Sequence, residues 1–225
     1  MTWEPTVTAV VGRFVAASNA TLLAETEDGT RVVYKPVAGE RPLWDFEAET
    51  LAWREILAFR VADAMNLEIV PETVMGDGPF GPGSLQRYVE ADEEFDAVTL
   101  ITNADGRLWP LAVFDIVVNN ADRKVGHILS TPTGLVGVDH GLTFHPDDKL
   151  RTVLWPFAGK SAPSGVVESV AALGIELEGE LGQEITTALG EEAFLALASR
   201  VRTFLDNPVH PQPPDDRPAI PWPPY

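Results

Sequence analysis

Asp122, Lys124, His127 and Asp139 crowd into one short stretch of this chain. Residues 114–141 read FDIVVNNADRKVGHILSTPTGLVGVDHG. Asp122 lies in a polar run, 119–126, directly after the apolar segment 108–118 (LWPLAVFDIVV). If the chain turns back at 132–133, residue 127 faces about residue 138. His127 and Asp139 then leave the hairpin mouth side by side, next to the loop that holds Asp122. Two carboxylates and an imidazole converging at a strand end can bind a divalent cation, and a further group nearby can take a proton. Taken singly, Asp122 reads as a turn cap, Asp139 as a strand end and His127 as a surface residue. What marks the stretch is the crowding of Asn119, Asn120, Asp122, Lys124, His127, Asp139 and His140 around an apolar segment.

The elements that must position these groups can be read from pattern. Residues 6–15 are rich in β-branched types, and 21–26 and 31–35 flank Asp28-Gly29, a hairpin signal because glycine takes the positive φ of a tight turn. Three antiparallel strands in a meander are expected, followed by a helix over about 46–65 with apolar residues at helical spacing. Extended chain restarts at 69–74, turns through the Gly/Pro cluster 77–83, and a strand is expected over 84–90. Beyond a composition shift near residue 90, a buried helix covers 108–118, a strand–turn–strand covers 127–139, and helices are expected at about 164–173, 180–189 and 191–204. The last opens with Glu191-Glu192, acids that suit the positive end of a helix dipole. Residues 208–225 carry eight prolines in eighteen positions, so they read as polyproline-like chain.

Composition excludes several classes. The 225 residues carry a formal net charge of −18, against the basic face that a nucleic-acid binder needs. The same charge opposes docking on anionic membranes, and no window approaches the roughly 20 apolar residues of a bilayer span. Hydrophobic content of 45% is that of a folded globular chain. Cysteine is absent, which removes disulfides, thiol nucleophiles and thiolate metal ligands together. The first twenty residues lack the basic start of a signal peptide, and a cytoplasmic location is expected.

The ordered set Asp122-Arg123-Lys124-Val125-Gly126-His127-Ile128-Leu129, then Val138-Asp139-His140-Gly141, resembles the catalytic loop and metal motif of atypical kinases. The phosphatidylinositol 3-/4-kinase family carries an Asp-Arg-His loop, a metal-binding Asn five residues after the Asp, and then Asp-Phe-Gly. HipA-type toxin kinases and Golgi secretory-pathway kinases carry related loops. The chain is most similar to an uncharacterised actinobacterial group identified as phosphatidylinositol 3-/4-kinase-like, over about residues 10–205.

That resemblance implies an α+β, minimal two-lobed protein-kinase-like fold. A small antiparallel sheet with one helix forms the N-lobe (1–90), a mainly helical C-lobe follows (91–205), and a proline-rich tail closes the chain (206–225). Residue by residue, it implies Lys35 on the nucleotide phosphates and Glu55 pairing with that lysine, with Glu47 and Glu49 as competitors. Asp122 accepts or orients the acceptor's proton, Lys124 and Arg123 bring positive charge to the transferring phosphoryl group, and Asp139 binds the metal. Asn119 and Asn120 brace the loop. Ser18, Asn19 and Thr21 offer donors to the phosphates in the absence of a GxGxxG. Tyr88, Val89 and Glu90 form the hinge that meets adenine. Arg151, Trp155 and Phe157 are candidates for acceptor contact.

Two further departures matter. His127 stands where the metal-binding Asn is expected, and imidazole suits Mn²⁺ or Zn²⁺ better than Mg²⁺. His140 replaces the Phe of Asp-Phe-Gly. The implied activity is an ATP- and Mg²⁺-dependent phosphotransferase (Mn²⁺ as an alternative metal) acting on an unidentified soluble small-molecule or protein hydroxyl. The competing readings are nucleotidyl transfer, a nucleotide-binding pseudokinase and a His/Asp metallohydrolase, the last because His127, His140 and His145 surround Asp139.

Overall fold

The structure is a computed structural model that describes residues 3–14, 19–92 and 94–225. Five antiparallel strands open the chain: β1 (Val7–Arg13), β2 (Leu22–Thr26), β3 (Arg31–Pro36), β4 (Thr73–Gly78) and β5 (Gly81–Arg87), in the order β1-β2-β3-β5-β4. Gly29, at φ 80°, closes the β2–β3 turn, with the Thr30 N–H donating to Asp28 at 3.0 Å. Along β3 the buried positions alternate, Val32 and Tyr34 facing a small core with Val7, Leu22, Ala24 and Leu85. β4 and β5 are longer toward each other than the turn cluster suggested. They pair up to Gly78 and Gly81, so Asp77-Gly78 and Gly81–Gly83 are strand rather than loop.

Between β3 and β4 runs α1 (Leu51–Ala64), starting later than the expected 46. Its N-terminal Leu51 and Ala52 N–H groups donate to the Glu40 carboxylate, an acid where the helix dipole favours one. Helix α2 (Ala97–Thr102) was not expected from pattern; it is short, and Asp96 caps it through the Thr99 N–H.

Helix α3 (Trp109–Val118) is the centre of the helical half. Leu111, Ala112, Val113 and Phe114 are all fully buried, because α3 is surrounded by α1, the helices α4 (Ser164–Glu176) and α6 (Glu191–Asp206) and the segment 144–157. Helix α5 (Glu180–Leu189) packs between α6 and α1. α3 ends on Asn119 in the left-handed conformation (φ 55°), which turns the chain sharply into the 120–127 loop. The hairpin β6 (Ile128–Thr131) and β7 (Gly134–Gly137) follows, in the register Ile128↔Gly137. No described helix is long and apolar enough to cross a membrane.

Residues 207–225 fold back over the helical half. Body N–H groups of Ala162, Gly159 and Thr152 donate to the carbonyls of Pro208, His210 and Ala219 at 2.8, 2.9 and 3.1 Å, and Arg217 pairs with Asp148 at 2.7 Å.

Candidate active site

The sheet, α1 and the β6–β7 hairpin bring one lysine and two acids together. Lys35 is near the end of β3, Glu55 on the buried face of α1 and Asp139 just beyond β7. The Lys35 ammonium bonds the Glu55 carboxylate and lies 2.8 Å from Asp139 Oδ1. Glu55 is nearly inaccessible, and its second oxygen accepts the His140 N–H at 2.9 Å. Burial alone would pull the Lys35 amine down, but Asp139 and Glu55 outweigh it and hold it above the ordinary lysine value. Burial pushes the Glu55 carboxyl up against the pull of Lys35, while the lysine charge holds the half-exposed Asp139 well below the usual carboxylate range. Glu47 and Glu49, the competitors for Lys35, line a neighbouring hollow with Val37, Ala38 and Phe46, and Lys35 is not in its lining.

The second cluster stands on the 120–127 loop. Val138 N–H donates to His127 C=O at 3.0 Å, so the hairpin register sets His127 beside Asp139, with Nε2 and Oδ2 3.5 Å apart. Asp122, His127 and Asp139 each offer a ligand atom, and these lie within 4.8 Å of one another. His127 Nδ1 is buried and has no hydrogen-bond partner among the described residues, and burial lowers its imidazole to about 4, which keeps it neutral. A mixed carboxylate–imidazole set with a neutral ring fits a divalent cation, with a lean toward Mn²⁺ or Zn²⁺ over Mg²⁺. Lys124 Nζ is 3.0 Å from Asp122 Oδ2, and desolvation raises the Asp122 carboxyl. Asp139 adopts a left-handed backbone, φ 62°, a conformation that Asp and Asn tolerate better than other residues with a β-carbon.

Beneath both clusters lies a buried polar network. Asp115, on α3, is fully buried and receives Arg123 Nε at 3.0 Å and Nη2 at 2.8 Å, Asn120 Nδ2 at 2.9 Å and Thr152 Oγ1 at 3.2 Å. Asn120 Oδ1 in turn accepts the Asp122 N–H at 2.9 Å. Arg123 Nη1 reaches the carbonyls of His127 and Val138, both at 3.3 Å, and Nη2 donates to His140 Nε2 at 2.8 Å. Because guanidinium only donates, His140 is a neutral acceptor here. Its burial and the Arg123 charge press its pKa down. Arg123 was expected to lend charge to the phosphoryl group; with its side chain fully enclosed, it braces the loop instead. His140 packs edge-on against Phe114 at 5.4 Å, which supplies the apolar anchoring that its polar ring was expected to weaken.

Two cavities meet at this point. One, of about 440 Å³, is walled by Phe14, Val33, Tyr88, Val89, Leu129 and Val138, and the other, of about 340 Å³, by Arg41, Leu43, Glu55, Asp122 and Gly141. Thr21, Lys35 and Asp139 line both. Tyr88 N–H already donates to Arg31 C=O at 3.0 Å, so among the described residues the N–H groups without a backbone partner at this edge are those of Val89, Glu90 and Ala91. The Glu90 side chain turns away to pair with Arg31. Asn19 accepts the Arg41 N–H at 2.9 Å, tying its loop to the rim of the smaller cavity. Ser18 lies outside the described residues. Asn119 holds the carbonyls of His145 and Asp147 rather than the loop it belongs to. Arg151 Nε is engaged by Ala121 C=O. Phe157 is core, and Trp155 packs against His210 and bonds Ala219 C=O.

Protein Rv2133c of Mycobacterium tuberculosis (strain ATCC 25618 / H37Rv) is 41% identical over a 253-residue alignment that takes in 95% of this chain and 91% of that protein. The chain belongs to the Rv2133c family. No protein-family model matches it. Among solved structures, it is similar to the Helicobacter pylori proinflammatory kinase CtkA, with a TM-score of 0.57 and 11% identity over 91% of this chain and 93% of that one. It is also similar to the Golgi casein kinase, with a TM-score of 0.58 and 11% identity over 90% and 71%, a protein solved too with Mn/ADP bound. The chain therefore has a two-lobed, kinase-like α+β fold, with the antiparallel sheet in one lobe and the helices mainly in the other.

Asp115 was missed because it was absorbed into an apolar run. The signal was present: a lone acid inside LWPLAVFDIVV must find a buried partner or not be buried at all.

Proposed function

We propose that this protein is an ATP-dependent phosphotransferase of atypical kinase type, with a soluble small-molecule or protein hydroxyl as acceptor. The observation that carries the reading is Lys35, held by Glu55 and Asp139 at the shared wall of a largely apolar cavity and one lined by more charged side chains. A nucleoside suits the first and its phosphates the second. The resemblance to kinases of the phosphatidylinositol 3-/4-kinase-like and HipA groups supports the same assignment.

In this reading Lys35 holds the phosphates of the bound nucleotide. Asp122 takes the acceptor proton as the acceptor oxygen forms its bond to the γ-phosphorus and the bond to the β-phosphate oxygen breaks, releasing ADP. Lys124, 3.0 Å from Asp122, offers its charge to the transferring group. A divalent cation held by Asp139 and His127, beside Asp122, would neutralise phosphate charge. The chain supplies positioning and fixed charge, the main sources of rate in phosphoryl transfer. The imidazole in the metal set favours a second reading, nucleotide binding without transfer.

Incubation with γ- and α-labelled ATP separates them. Transfer of the γ label to an acceptor or to the protein itself supports a kinase, and transfer of the α label supports nucleotidyl transfer. Transfer of neither, with ATP-dependent thermal stabilisation kept in both wild type and Asp122→Asn, supports a pseudokinase. Stoichiometric zinc surviving purification without any nucleotide binding would turn the reading toward a metallohydrolase.

A further inference from the structure

Tyr225 lines the larger, apolar cavity together with Lys35, Tyr88, Val89, His127 and Asp139, although it is far from all of them in sequence. It is held there. Val125 N–H, in the same loop as Asp122, donates to Pro224 C=O at 2.9 Å. Thr152 N–H and the Trp155 indole N–H both donate to Ala219 C=O, at 3.1 and 2.8 Å, and Arg217 is clamped to Asp148. This segment therefore grips both the 122–127 loop and the 148–155 stretch that follows Asp139. Its composition suits the task. Proline has no N–H and a fixed φ, so a proline-rich segment presents carbonyl acceptors to the N–H groups of the body and loses little conformational freedom on docking. Tyr225 lines the cavity and remains largely exposed, so its aromatic side chain is free to meet a ligand there.

We propose that Tyr225 is part of the nucleotide site, an aromatic wall against the nucleoside half of ATP supplied by residues 217–225 after they have crossed the helical lobe. This rests on the reading of the cleft as a nucleotide site. An aromatic ring stacks on a nucleoside at little entropic cost because only two side-chain torsions have to be fixed. It adds nothing to the binding of bare phosphate groups, which face Lys35 and Asp139. Tyr225 would thus be a specificity residue that tells a nucleotide from other polyphosphates.

The test compares full-length wild type, Tyr225→Ala and Tyr225→Phe for binding of ATP and of inorganic tripolyphosphate, each with Mn²⁺, by calorimetry. The expected result is that Tyr225→Ala binds ATP about tenfold more weakly, the order carried by one base–aromatic stack. Tripolyphosphate binding stays unchanged, and Tyr225→Phe matches wild type. Equal ATP affinity in wild type and Tyr225→Ala would overturn the proposal while leaving the nucleotide site intact. So would equal weakening of ATP and tripolyphosphate, which would mean the ring merely supports the cleft. If wild type binds neither compound, the nucleotide reading itself falls, and the role of Tyr225 with it.

Discussion

The Lys35 ammonium and the Asp139 carboxylate lie 2.8 Å apart although 104 positions separate them in the chain. One comes from the sheet and the other from beyond a hairpin of the helical half, so the pair joins the two halves of the fold electrically, as Arg60–Glu184 and Asp45–Lys149 also do. Glu55 completes a set of one cation between two acids. Lys35 and Asp139 both keep their charge, and the more deeply buried Glu55 is the member whose charge burial opposes.

Replacing Lys35 with Met leaves the Glu55 carboxyl buried beside Asp139 with no counter-charge. Glu55 can relieve this by taking a proton, so the expected destabilisation is about 2 kcal/mol, below the full cost of an orphaned buried ion. For a chain of this size that is a fall of roughly 4–8 °C in melting temperature. Phosphate transfer should fall by a factor of a hundred or more, since Lys35 is the candidate phosphate ligand. Scanning calorimetry and a labelled-ATP assay check both parts, and unchanged transfer in a folded Lys35→Met protein would remove Lys35 from the site.

Asp115→Leu should be more damaging than any change in the cleft. It strands the fully buried Arg123 guanidinium and frees Asn120 and Thr152. Loss of one partner from such a pair costs about 3–5 kcal/mol, or on the order of 10 °C in melting temperature. The double variant Asp115→Leu/Arg123→Met should recover a measurable part of that loss. Failure to recover any would mean the carbonyl contacts of Arg123, not its charge pairing, carry the effect.

His210 offers a pH test away from the cleft. It is buried against Trp155 and Phe157, and burial lowers its pKa from 6.5; its hydrogen bond with Pro211 C=O and, less strongly, Asp115 pull the other way, and Arg200 lines the same hollow. The unfolded chain takes up a proton below about pH 6.5 that the folded ring resists. The His210 contribution to stability is therefore complete above pH 6.5 and declines as pH falls below it. The melting-temperature difference between wild type and His210→Asn should shrink from pH 7.5 to pH 5.5. A difference that stays constant across that range would show that the ring titrates normally in the folded protein.

His127→Asn should move metal preference toward Mg²⁺. An amide oxygen replaces an imidazole in the set with Asp122 and Asp139, and Mg²⁺ favours oxygen ligands. The ratio of ATP-dependent thermal shifts in Mg²⁺ and Mn²⁺ is the measurement. A ratio unchanged by the substitution would place the cation away from residue 127.

Much of the fold was legible because its signals are local. Asp28-Gly29 marked the first hairpin, the apolar run marked α3, and turn residues 132–133 set the register that brings His127 to Asp139. The helices after residue 164 followed their periodicity closely. The Arg123–Asp115 pair was not legible, since a charged residue carries no mark of the partner that will bury it. Nor was the approach of Tyr225 to the cleft, which depends on where Pro208, Ala219 and Pro224 find N–H donors on a surface built by distant segments. Segment 77–83 holds the expected turn, but it is confined to Pro79-Phe80; Asp77-Gly78 and Gly81–Gly83 extend β4 and β5 on either side of it.

The left-handed backbone at Asp139 has a bearing on how mutagenesis of the cleft is read. At φ 62° only Gly, Asn and Asp sit comfortably, and a β-carbon without a polar group to compensate costs about 1–2 kcal/mol. An alanine scan would therefore charge this position twice, once for the missing carboxylate and once for the twisted peptide, and would overstate its part in ligand capture. Asparagine keeps the conformation while removing the charge, which makes it the replacement whose deficit can be attributed to chemistry.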